Sequence, residues 1–411
     1  MAETTHEILN SANEAAGRVL KEAMKAAAQG TFAVGGCIIN NQTGEVLHAL
    51  HNQVMRPLTS SGHIFTFDPT AHGERQLVYW YYANKDSLAL PEPEHLTIVT
   101  NLDPCAMCTG TLLTAGFNVA TVAIDALAGI NYDQTFRFTS LPQCWVSHAQ
   151  SHFGYYACSE SDPALASYAR PYTGGDQVAF NSSAVSAERL MACSAIFEAS
   201  VGQVRANSSD SGRAPEQLID PAELPAEDLI KVRFKAIDPQ AFELRLTHPR
   251  QPDKALHDHL VEVMKSQPGA RNAVALVDPF GNVILSLPDH FQESPVHTAF
   301  MNVTRAYAQV RFKLMDDPQT HQQAEQTLTH PKYGTFVFLY APDPNDSTTV
   351  MTLGAYGSTL EGTIPQVFPA NLQYFHPPQN GTMAELVDLM TRLPPFYTQM
   401  AQIAIAPVAA D

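Results

Sequence analysis

Residues 96–124 read LTIVTNLDPCAMCTGTLLTAGFNVATVAI and predict a strand, a helix and a second strand in direct succession. The apolar run from Leu96 to Thr100 has the length and residue types of a buried strand. Pro104 suits the first turn of a helix, and Gly116 suits its end. A helix between two strands implies that the strands run parallel, because the chain must return to the end of the sheet where it started. This stretch therefore predicts an α/β sheet with helices packed on it.

Four more elements are predicted upstream of this stretch. Residues 5–29 are rich in Ala, have apolar residues at helical spacing, and are followed by Gly30 as a stop signal. Residues 33–39 and 45–50 flank a polar turn and predict a hairpin. Residues 71–83 predict a second helix. The order helix, hairpin, helix, strand, helix, strand is that of an α/β unit whose helices pack against a mixed sheet.

Composition and charge limit the classes of function. The chain has 411 residues, 45% of them hydrophobic and 16% charged, which predicts two or three globular domains. With 24 Lys and Arg against 41 Asp and Glu, the formal net charge is -17, and such a field repels a nucleic-acid backbone. We recognise neither a signal peptide nor a membrane-spanning apolar run, and the six scattered cysteines favour a reducing compartment. We therefore expect a cytoplasmic protein, not bound to a membrane, whose partner is a small molecule.

Two short motifs carry the chemistry. HGE at residues 72–74 opens one predicted helix, and PCAMC at residues 104–108 opens the next. Cysteines three residues apart share one face of a helix and can bind the same ion, with a histidine from the neighbouring helix as third ligand. Three protein ligands leave the fourth tetrahedral position of Zn²⁺ for water. The predicted zinc ligands are His72, Cys105 and Cys108.

Glu74, two residues after the histidine, is the predicted catalytic residue, which moves protons and does not bind the metal. A Cys-x-x-Cys pair also fits half of a structural zinc site or a redox pair. A structural site would need a fourth ligand, and the sequence has no second close pair of cysteines. A redox pair would not need the upstream His-x-Glu. The combination of the two motifs therefore favours a catalytic zinc site.

His-x-Glu followed by Pro-Cys-x-x-Cys is the signature of zinc-dependent nucleobase deaminases. Residues 68–74 (DPTAHGE) resemble the active-site helix entry of bacterial guanine deaminases and tRNA adenosine deaminases. Residues 35–40 (GGCIIN) and 103–110 (DPCAMCTG) resemble fungal cytosine deaminase. All belong to the cytidine-deaminase-like superfamily, and the similarity covers residues 30–135. It implies a three-layer α/β/α sandwich with a mixed sheet, and, because these deaminases work as oligomers, a homodimer or a pseudo-dimer within one chain.

The same resemblance assigns two residues to the substrate. Asn52 follows the second strand of the hairpin, where these families place an Asn that hydrogen-bonds the base or sugar, although a plain turn residue is the alternative. Asp133 lies in residues 128–138 (AGINYDQTFRF), which are similar to a guanine deaminase segment with a substrate-contacting Asp. Phe32 and Trp145 could stack on a ring, but isolated aromatic residues more often pack in cores.

The second half repeats the order of elements of the first. Residues 206–228 are rich in Ser, Pro, Asp and Glu, which is typical of a linker. After them come a predicted helix at 253–266, a hairpin at 273–287 and a strand at 335–341. His297 falls where His72 does, but no Glu follows it and no Cys pair comes later.

We therefore predict three segments. Residues 1–170 form a catalytic zinc deaminase domain, residues 171–235 a helix with a Ser-, Pro- and acid-rich linker, and residues 236–411 a degenerate deaminase-like copy without a zinc site. The fold class is thus a duplicated α/β sandwich.

The predicted activity is that of a zinc-dependent hydrolase acting on the C–N bond of a free nucleobase, nucleoside or related amino-heterocycle, guanine-like or cytosine-like, with release of ammonia. One alternative is a deaminase of tRNA or another nucleic acid. Residues 1–170 hold 8 Lys and Arg against 15 Asp and Glu, 8 - 15 = -7, which argues against it. The other alternative is an inactive zinc protein that serves assembly, against which the presence of Glu74 argues.

Overall fold

The computed structural model describes residues 7–159, 177–207, 210, 212–359, 372–394 and 406–407. Contacts group these residues into two compact units. The first unit holds residues 7–55, 71–159, 177–207 and 392–394. The second unit holds residues 56–70, 210, 212–359, 372–391 and 406–407. The domain limits at residues 170 and 235 stay a prediction. None of the described helices is both long and apolar enough to cross a bilayer.

The elements up to residue 207 follow the predicted order. The helices are α1 (Ala12–Gln29), α2 (Gly73–Asn84), α3 (Ala106–Ala115), α4 (Gln143–His152) and α5 (Ala187–Asn207). The strands are β1 (Gly35–Asn40), β2 (Val46–His51), β3 (Met55–Pro57), β4 (Ile64–Thr66), β5 (Leu96–Leu102), β6 (Asn118–Ala123), β7 (Phe153–Tyr155), β8 (Ala157–Cys158) and β9 (Ala184–Val185). Among the described residues, short 3-10 helices lie at Pro93–His95, Pro215–Gln217, Pro221–Glu223 and Pro331–Tyr333.

The main sheet of the first unit has five strands in the order β2-β1-β5-β6-β7. β1 pairs antiparallel with β2 and with β5, whereas β5 pairs parallel with β6 and β6 parallel with β7. The mixed sheet is thus confirmed, as is the parallel pair on either side of α3.

Helices cover both faces of this sheet. Cys37 and Ile39 of β1 belong to a buried cluster with residues of α1 and α5. Gly36 is the neighbour of Cys37 in β1, so a side chain there would point to the opposite face of the sheet. A Cβ on Gly36 would lie 2.9 Å from Leu77 Cδ1 of α2. α3 packs beside α2. The layers are therefore α1 and α5, the sheet, and α2 with α3, which confirms the three-layer α/β/α sandwich.

The first helix is shorter than predicted. It begins at Ala12, because Ser11 adopts an extended conformation and its Oγ accepts a hydrogen bond from the Glu14 backbone N–H at 3.2 Å. Glu14 Oε2 in turn accepts from the Asn10 N–H at 2.8 Å. Leu9 donates its N–H to Gly44 O at 2.9 Å. The start predicted at residue 5 was wrong because the residues before Ser11 are held by the β1–β2 turn.

The second unit has its own layered sheet. Its helices are α6 (Leu229–Lys235), α7 (Lys254–Ser266), α8 (Ala299–Asp316), α9 (His321–Thr327), α10 (Ser347–Thr359) and α11 (Met383–Thr391). Its main strands are β10 (Ala273–Val277), β11 (Val283–Pro288), β12 (Thr335–Tyr340), β13 (Leu372–His376) and β14 (Ala406–Pro407). The strand order is β11-β10-β12-β13-β14.

Strand order and direction are the same in the two sheets. β10 pairs antiparallel with β11 and β12, and β13 pairs parallel with β12 and β14. The first hairpin of each sheet has a register shift at the same place, between Ile38 and Ile39 in one and between Leu276 and Val277 in the other. These observations agree with the predicted repeat, and its origin by duplication stays a prediction.

Two acidic residues of the stretch before α6 are buried within the second unit. Asp210 forms a bidentate ion pair with the Arg311 guanidinium, with distances of 2.8 and 2.9 Å. Asp220 accepts a hydrogen bond from Asn282 Nδ2 at 2.7 Å. Composition predicted a linker at residues 206–228, and these two carboxylates within it have fixed partners far away in the sequence.

The close approach of α1 to β1 yields a prediction about stability. A Cβ on Gly35 would lie 2.5 Å from Ala23 N and 2.7 Å from Val19 O, both backbone atoms of α1. Gly35→Ala should therefore lower the free energy of unfolding by about 1–3 kcal/mol, measured by urea denaturation. Gly202→Ala in α5 is the control, since open space surrounds Gly202 and a helical Gly→Ala change should stabilise by about 0.5–1 kcal/mol. Equal effects of the two substitutions would contradict this packing.

Candidate active site

Two helix starts bring the predicted metal ligands together. His72 is the residue immediately before α2, and Cys105 is the residue immediately before α3; both have extended backbone conformations. Cys108 lies in the first turn of α3. Because unsatisfied N–H groups give a helix N-terminus a partial positive charge, these positions favour thiolates.

The geometry of the three side chains fits a tetrahedral zinc ion. His72 Nδ1 lies 3.6 Å from Cys105 Sγ. Bonds of about 2.3 Å to sulfur and about 2.1 Å to nitrogen in a tetrahedron set this separation at about 3.6 Å. The ligand atoms of His72, Cys105 and Cys108 all lie within 4.8 Å of one another. Among the described residues, this is the group of three His, Cys, Asp or Glu side chains that could hold a metal.

Glu74 lies against this group and is almost completely buried, with 3% of its surface exposed. Its Oε2 accepts a hydrogen bond from the Cys108 thiol at 3.4 Å, and its Oε1 accepts from Thr100 Oγ1 at 3.4 Å. Burial raises the pKa of the Glu74 carboxyl, and the nearby Cys105 raises it further. A raised pKa makes a carboxyl a stronger proton acceptor, which is what a general base in catalysis needs.

The two thiols have opposite proton affinities. A hydrogen bond from Cys108 and the neighbouring His72 hold the pKa of Cys105 well below its usual range. Burial raises the pKa of Cys108, and its bond to Cys105 raises it further. Cys105 is therefore the first of the pair to become a thiolate, the form that binds zinc.

Arg75 is a buried cation next to this site that the sequence analysis did not single out. Its guanidinium donates to Thr111 Oγ1 at 2.6 Å and to the Tyr79 hydroxyl. Because Arg75 belongs to α2 and Thr111 to α3, the bond ties the two ligand-bearing helices together. The only sequence signal was a charged residue at a position where α2 faces the interior.

Asn52 is buried beside the start of α2. Its Oδ1 accepts from Thr31 Oγ1 at 2.9 Å and from the Val54 N–H at 2.8 Å. Its Nδ2 is buried and has no hydrogen-bond partner among the described residues. A Cβ on Gly73 would lie 3.6 Å from Asn52 N, so the residue adjoins the helix that carries His72 and Glu74.

The other residues considered for substrate contact have different surroundings. Asp133 is exposed, and its carboxylate accepts from the Thr135 N–H at 3.0 Å and from Thr139 Oγ1 at 3.3 Å, both within its own loop. Trp145 is half-buried on α4, where its ring meets that of His148 edge-on. Phe32 is half-buried before β1. A role of Asp133 in substrate binding stays a prediction.

In the second unit, an aromatic residue occupies the position that corresponds to Glu74, and a threonine the position that corresponds to His72. Thr298 is the residue immediately before α8, so Thr298, and not His297 as predicted, corresponds to His72. The second residue of α8 is Phe300, as Glu74 is the second residue of α2. Its ring stacks on that of Phe338 at 5.6 Å. The prediction placed His297 one residue off because the register of the helix start depends on the Thr298 cap.

The site geometry predicts one zinc ion per chain. Cys105→Ala combined with Cys108→Ala should remove the bound zinc, because His72 alone cannot hold it. Metal analysis of the purified protein measures the stoichiometry. Cys144→Ala is the control, since Cys144 is exposed and should leave the zinc content unchanged. Two zinc ions per intact chain, or one that survives the double substitution, would show that the ligands are elsewhere.

A protein-family model matches the part of the chain that carries this site. The cytidine and deoxycytidylate deaminase zinc-binding region matches residues 10–124. No curated protein sequence is significantly similar to the chain. Among solved structures, a tRNA:A34 deaminase studied for A-to-I editing at the wobble position is 20% identical with a TM-score of 0.25, covering 32% of this chain and 85% of the other. Guanine deaminase from Nitrosomonas europaea is 12% identical with a TM-score of 0.28, covering 48% of this chain and 89% of the other. The region at residues 10–124 is thus similar to the zinc-binding region of cytidine and deoxycytidylate deaminases, and it contains His72, Cys105, Cys108 and Glu74.

Proposed function

We propose that this protein catalyses the zinc-dependent hydrolytic deamination of a free nucleobase, nucleoside or related amino-heterocycle. The observation that carries the proposal is the position of Glu74. Its carboxylate is buried beside the His/Cys/Cys group, 3.4 Å from Cys108 Sγ, without being needed as a ligand. Burial of a carboxyl is costly, and a purely structural zinc site gains nothing from it. A catalytic site does, because the reaction needs a group that carries protons.

His72, Cys105 and Cys108 would hold the zinc ion. When bound there, zinc supplies a nucleophile at neutral pH by lowering the pKa of water to about 7. Three protein ligands are the number typical of catalytic zinc sites, which keep one position open. The assembly alternative, a zinc protein without activity, has no use for that open position.

Glu74 performs the proton transfers. As a carboxylate it accepts a proton from the attacking water, and as a carboxylic acid it delivers that proton to the ring nitrogen next to the amine-bearing carbon. It then takes the remaining proton of the added hydroxyl and gives it to the departing ammonia, which restores the carboxylate. Thr100 Oγ1, at 3.4 Å from Oε1, holds the carboxyl group in position. The raised pKa of Glu74 suits both directions of transfer.

Asn52 is proposed to orient the substrate. Its Oδ1 is already occupied by Thr31 and Val54, so the side chain is fixed with its Nδ2 as the group left to donate. A ring carbonyl or nitrogen of a heterocycle, or a sugar oxygen, would accept this hydrogen bond. Since a buried donor without a partner is costly, the site favours a ligand that supplies the acceptor.

Charge favours a small neutral substrate over a nucleic acid. The whole chain carries a formal net charge of -17, and residues 1–170 carry 8 - 15 = -7. A nucleic-acid deaminase must hold a polyanion, which needs a basic surface. We rank guanine-like bases first and cytosine-like bases second, on the resemblance of residues 68–74 and 35–40.

Glu74→Gln should separate zinc binding from turnover. The substitution keeps the size of the side chain and leaves all three ligands, so the zinc content should be unchanged. Turnover should fall by about 10²- to 10⁴-fold because no group remains to carry the proton. The measurement is ammonia release from guanine, cytosine, adenine, their nucleosides and pterins, with a tRNA anticodon stem-loop as the comparison substrate.

Glu94→Gln is the matched control, since Glu94 is exposed and should leave turnover unchanged. Near wild-type rates in Glu74→Gln would rule out the assigned role of Glu74. Deamination of the stem-loop alone would replace the small-molecule proposal with the nucleic-acid alternative.

Asn52→Asp should weaken substrate binding while the site stays assembled. Aspartate keeps an oxygen for Thr31 and Val54 but replaces the donor with an acceptor. Loss of one buried hydrogen bond, roughly 1–3 kcal/mol, should lower kcat/KM by about 5- to 150-fold. Steady-state kinetics measure the effect, and zinc content and urea denaturation show whether the site is intact. An unchanged kcat/KM would remove Asn52 from the substrate site.

A further inference from the structure

The loop after β6 runs beside the loop that carries the first cysteine ligand. Gly129 and Cys105 form an antiparallel bridge. The Ile130 N–H donates to Pro104 O at 2.9 Å. A short backbone ladder thus joins residues 129–130 to residues 104–105, and any movement of one segment is transmitted to the other.

Asp103, two residues before Cys105, fixes this pairing with its side chain. Oδ2 accepts a hydrogen bond from the Asn131 backbone N–H at 3.0 Å, and Oδ1 accepts from the Tyr155 hydroxyl at 2.6 Å. The Tyr155 oxygen in turn accepts from Asn131 Nδ2 at 2.5 Å. Asp103, Tyr155 and Asn131, the last through both its backbone N–H and its side chain, therefore form a closed ring of hydrogen bonds, which we call the Asp103 network.

Burial makes the Asp103 network rigid. Asp103 is 2% exposed, and Asn131 and Tyr155 are 0% exposed. In a low-dielectric interior, each hydrogen bond is strong and each lost partner is costly. Asn131 also accepts from the Phe138 N–H at 3.2 Å, which extends the network along the loop that contains Asp133.

The fit around Gly129 leaves no space for a side chain. A Cβ there would lie 2.4 Å from Asp103 Oδ2 and 2.6 Å from Asp125 O. A glycine is therefore required for the loop to approach Asp103 this closely. The Asp103 network and the Gly129 contact are two independent constraints on the same short segment.

We propose that the Asp103 network positions Cys105 for zinc and so governs how firmly the metal is retained. Asp103, Asn131 and Tyr155 are positioning residues: they fix the backbone from which the Cys105 thiolate extends and do not contact the metal. Metal–ligand distances tolerate changes of only about 0.2 Å, so a small shift of residues 103–105 weakens one of three protein ligands. The effect on turnover rests on the proposed function, whereas the effect on zinc retention does not.

Two adjacent tyrosines provide the test. Tyr155→Phe removes one hydroxyl from the Asp103 network. Tyr156→Phe is the matched control: Tyr156 is 1% exposed, and its hydroxyl donates to Ala179 O at 2.9 Å in a different buried cluster. In the full-length zinc protein, Tyr155→Phe loses two buried hydrogen bonds, those with Asp103 and Asn131, and Tyr156→Phe loses one. Urea denaturation of both variants therefore separates a loss of stability from a change at the zinc ligands. The readout is the rate of zinc release into an excess of a chelator.

Tyr155→Phe should release zinc about 10- to 100-fold faster than the unaltered protein, the range typical of altered partners around metal ligands. Tyr156→Phe should stay within about twofold. In the cobalt-substituted protein, the thiolate-to-cobalt absorption should shift in Tyr155→Phe and not in Tyr156→Phe, since it reports the geometry of the cysteine ligands.

Gly129→Ala is a second variant that leaves every polar group of the Asp103 network in place. It should also speed zinc release, because the added methyl group separates the loop from Asp103, and Gly202→Ala is its control. Equal zinc release in Tyr155→Phe and Tyr156→Phe, or unchanged release in Gly129→Ala, would overturn the proposal. If the unaltered protein deaminates none of the substrates, the proposed function is refuted. If Tyr155→Phe still releases zinc faster in that case, the proposed role of the Asp103 network is retained.

Discussion

The site depends on one constraint: two helices must begin at the same end of the sheet. Cys105 precedes α3 because a crossover between parallel strands has to start where β5 ends. His72 precedes α2, and its Nδ1 lies 3.6 Å from Cys105 Sγ. Parallel pairing of β5 and β6 therefore fixes the ligand positions as well as the fold. In open α/β sheets generally, sites form where strands end and helices begin.

The two helix starts bring together Glu74 and Cys108, whose charged forms destabilise each other. Burial raises the pKa of both Glu74 and Cys108, so their charged forms are costly in the protein without a metal. A divalent cation between the ligands would offset this cost, since it compensates the charge of two thiolates. Metal binding should thus stabilise the first unit as well as supply its chemistry. The Arg75–Thr111 bond and the Asp103 network keep the ligands in place against this repulsion.

Sequence reasoning identified what is encoded locally. The ligands and Glu74 lie in two motifs at helix starts, where spacing alone determines which side chains share a face. It also missed a local signal, the N-cap residue Ser11, whose Oγ accepts from the Glu14 N–H at the start of α1. The Asp103 network could not be found in this way, because its members are 28 and 52 residues apart and each looks ordinary alone. Only the fold brings Tyr155 beside Asp103.

The second unit shows that this sheet topology does not require a polar site. Phe300 and Phe338 stack where Glu74 and Thr100 hydrogen-bond in the first unit. Their pairing positions correspond, since Phe338 lies opposite Val274 as Thr100 lies opposite Gly36. Burial of stacked aromatic rings stabilises the folded protein, whereas burial of a carboxyl group destabilises it. Because the same architecture can be completed by apolar packing, stability does not account for Glu74, and this supports the proton-transfer role proposed for it.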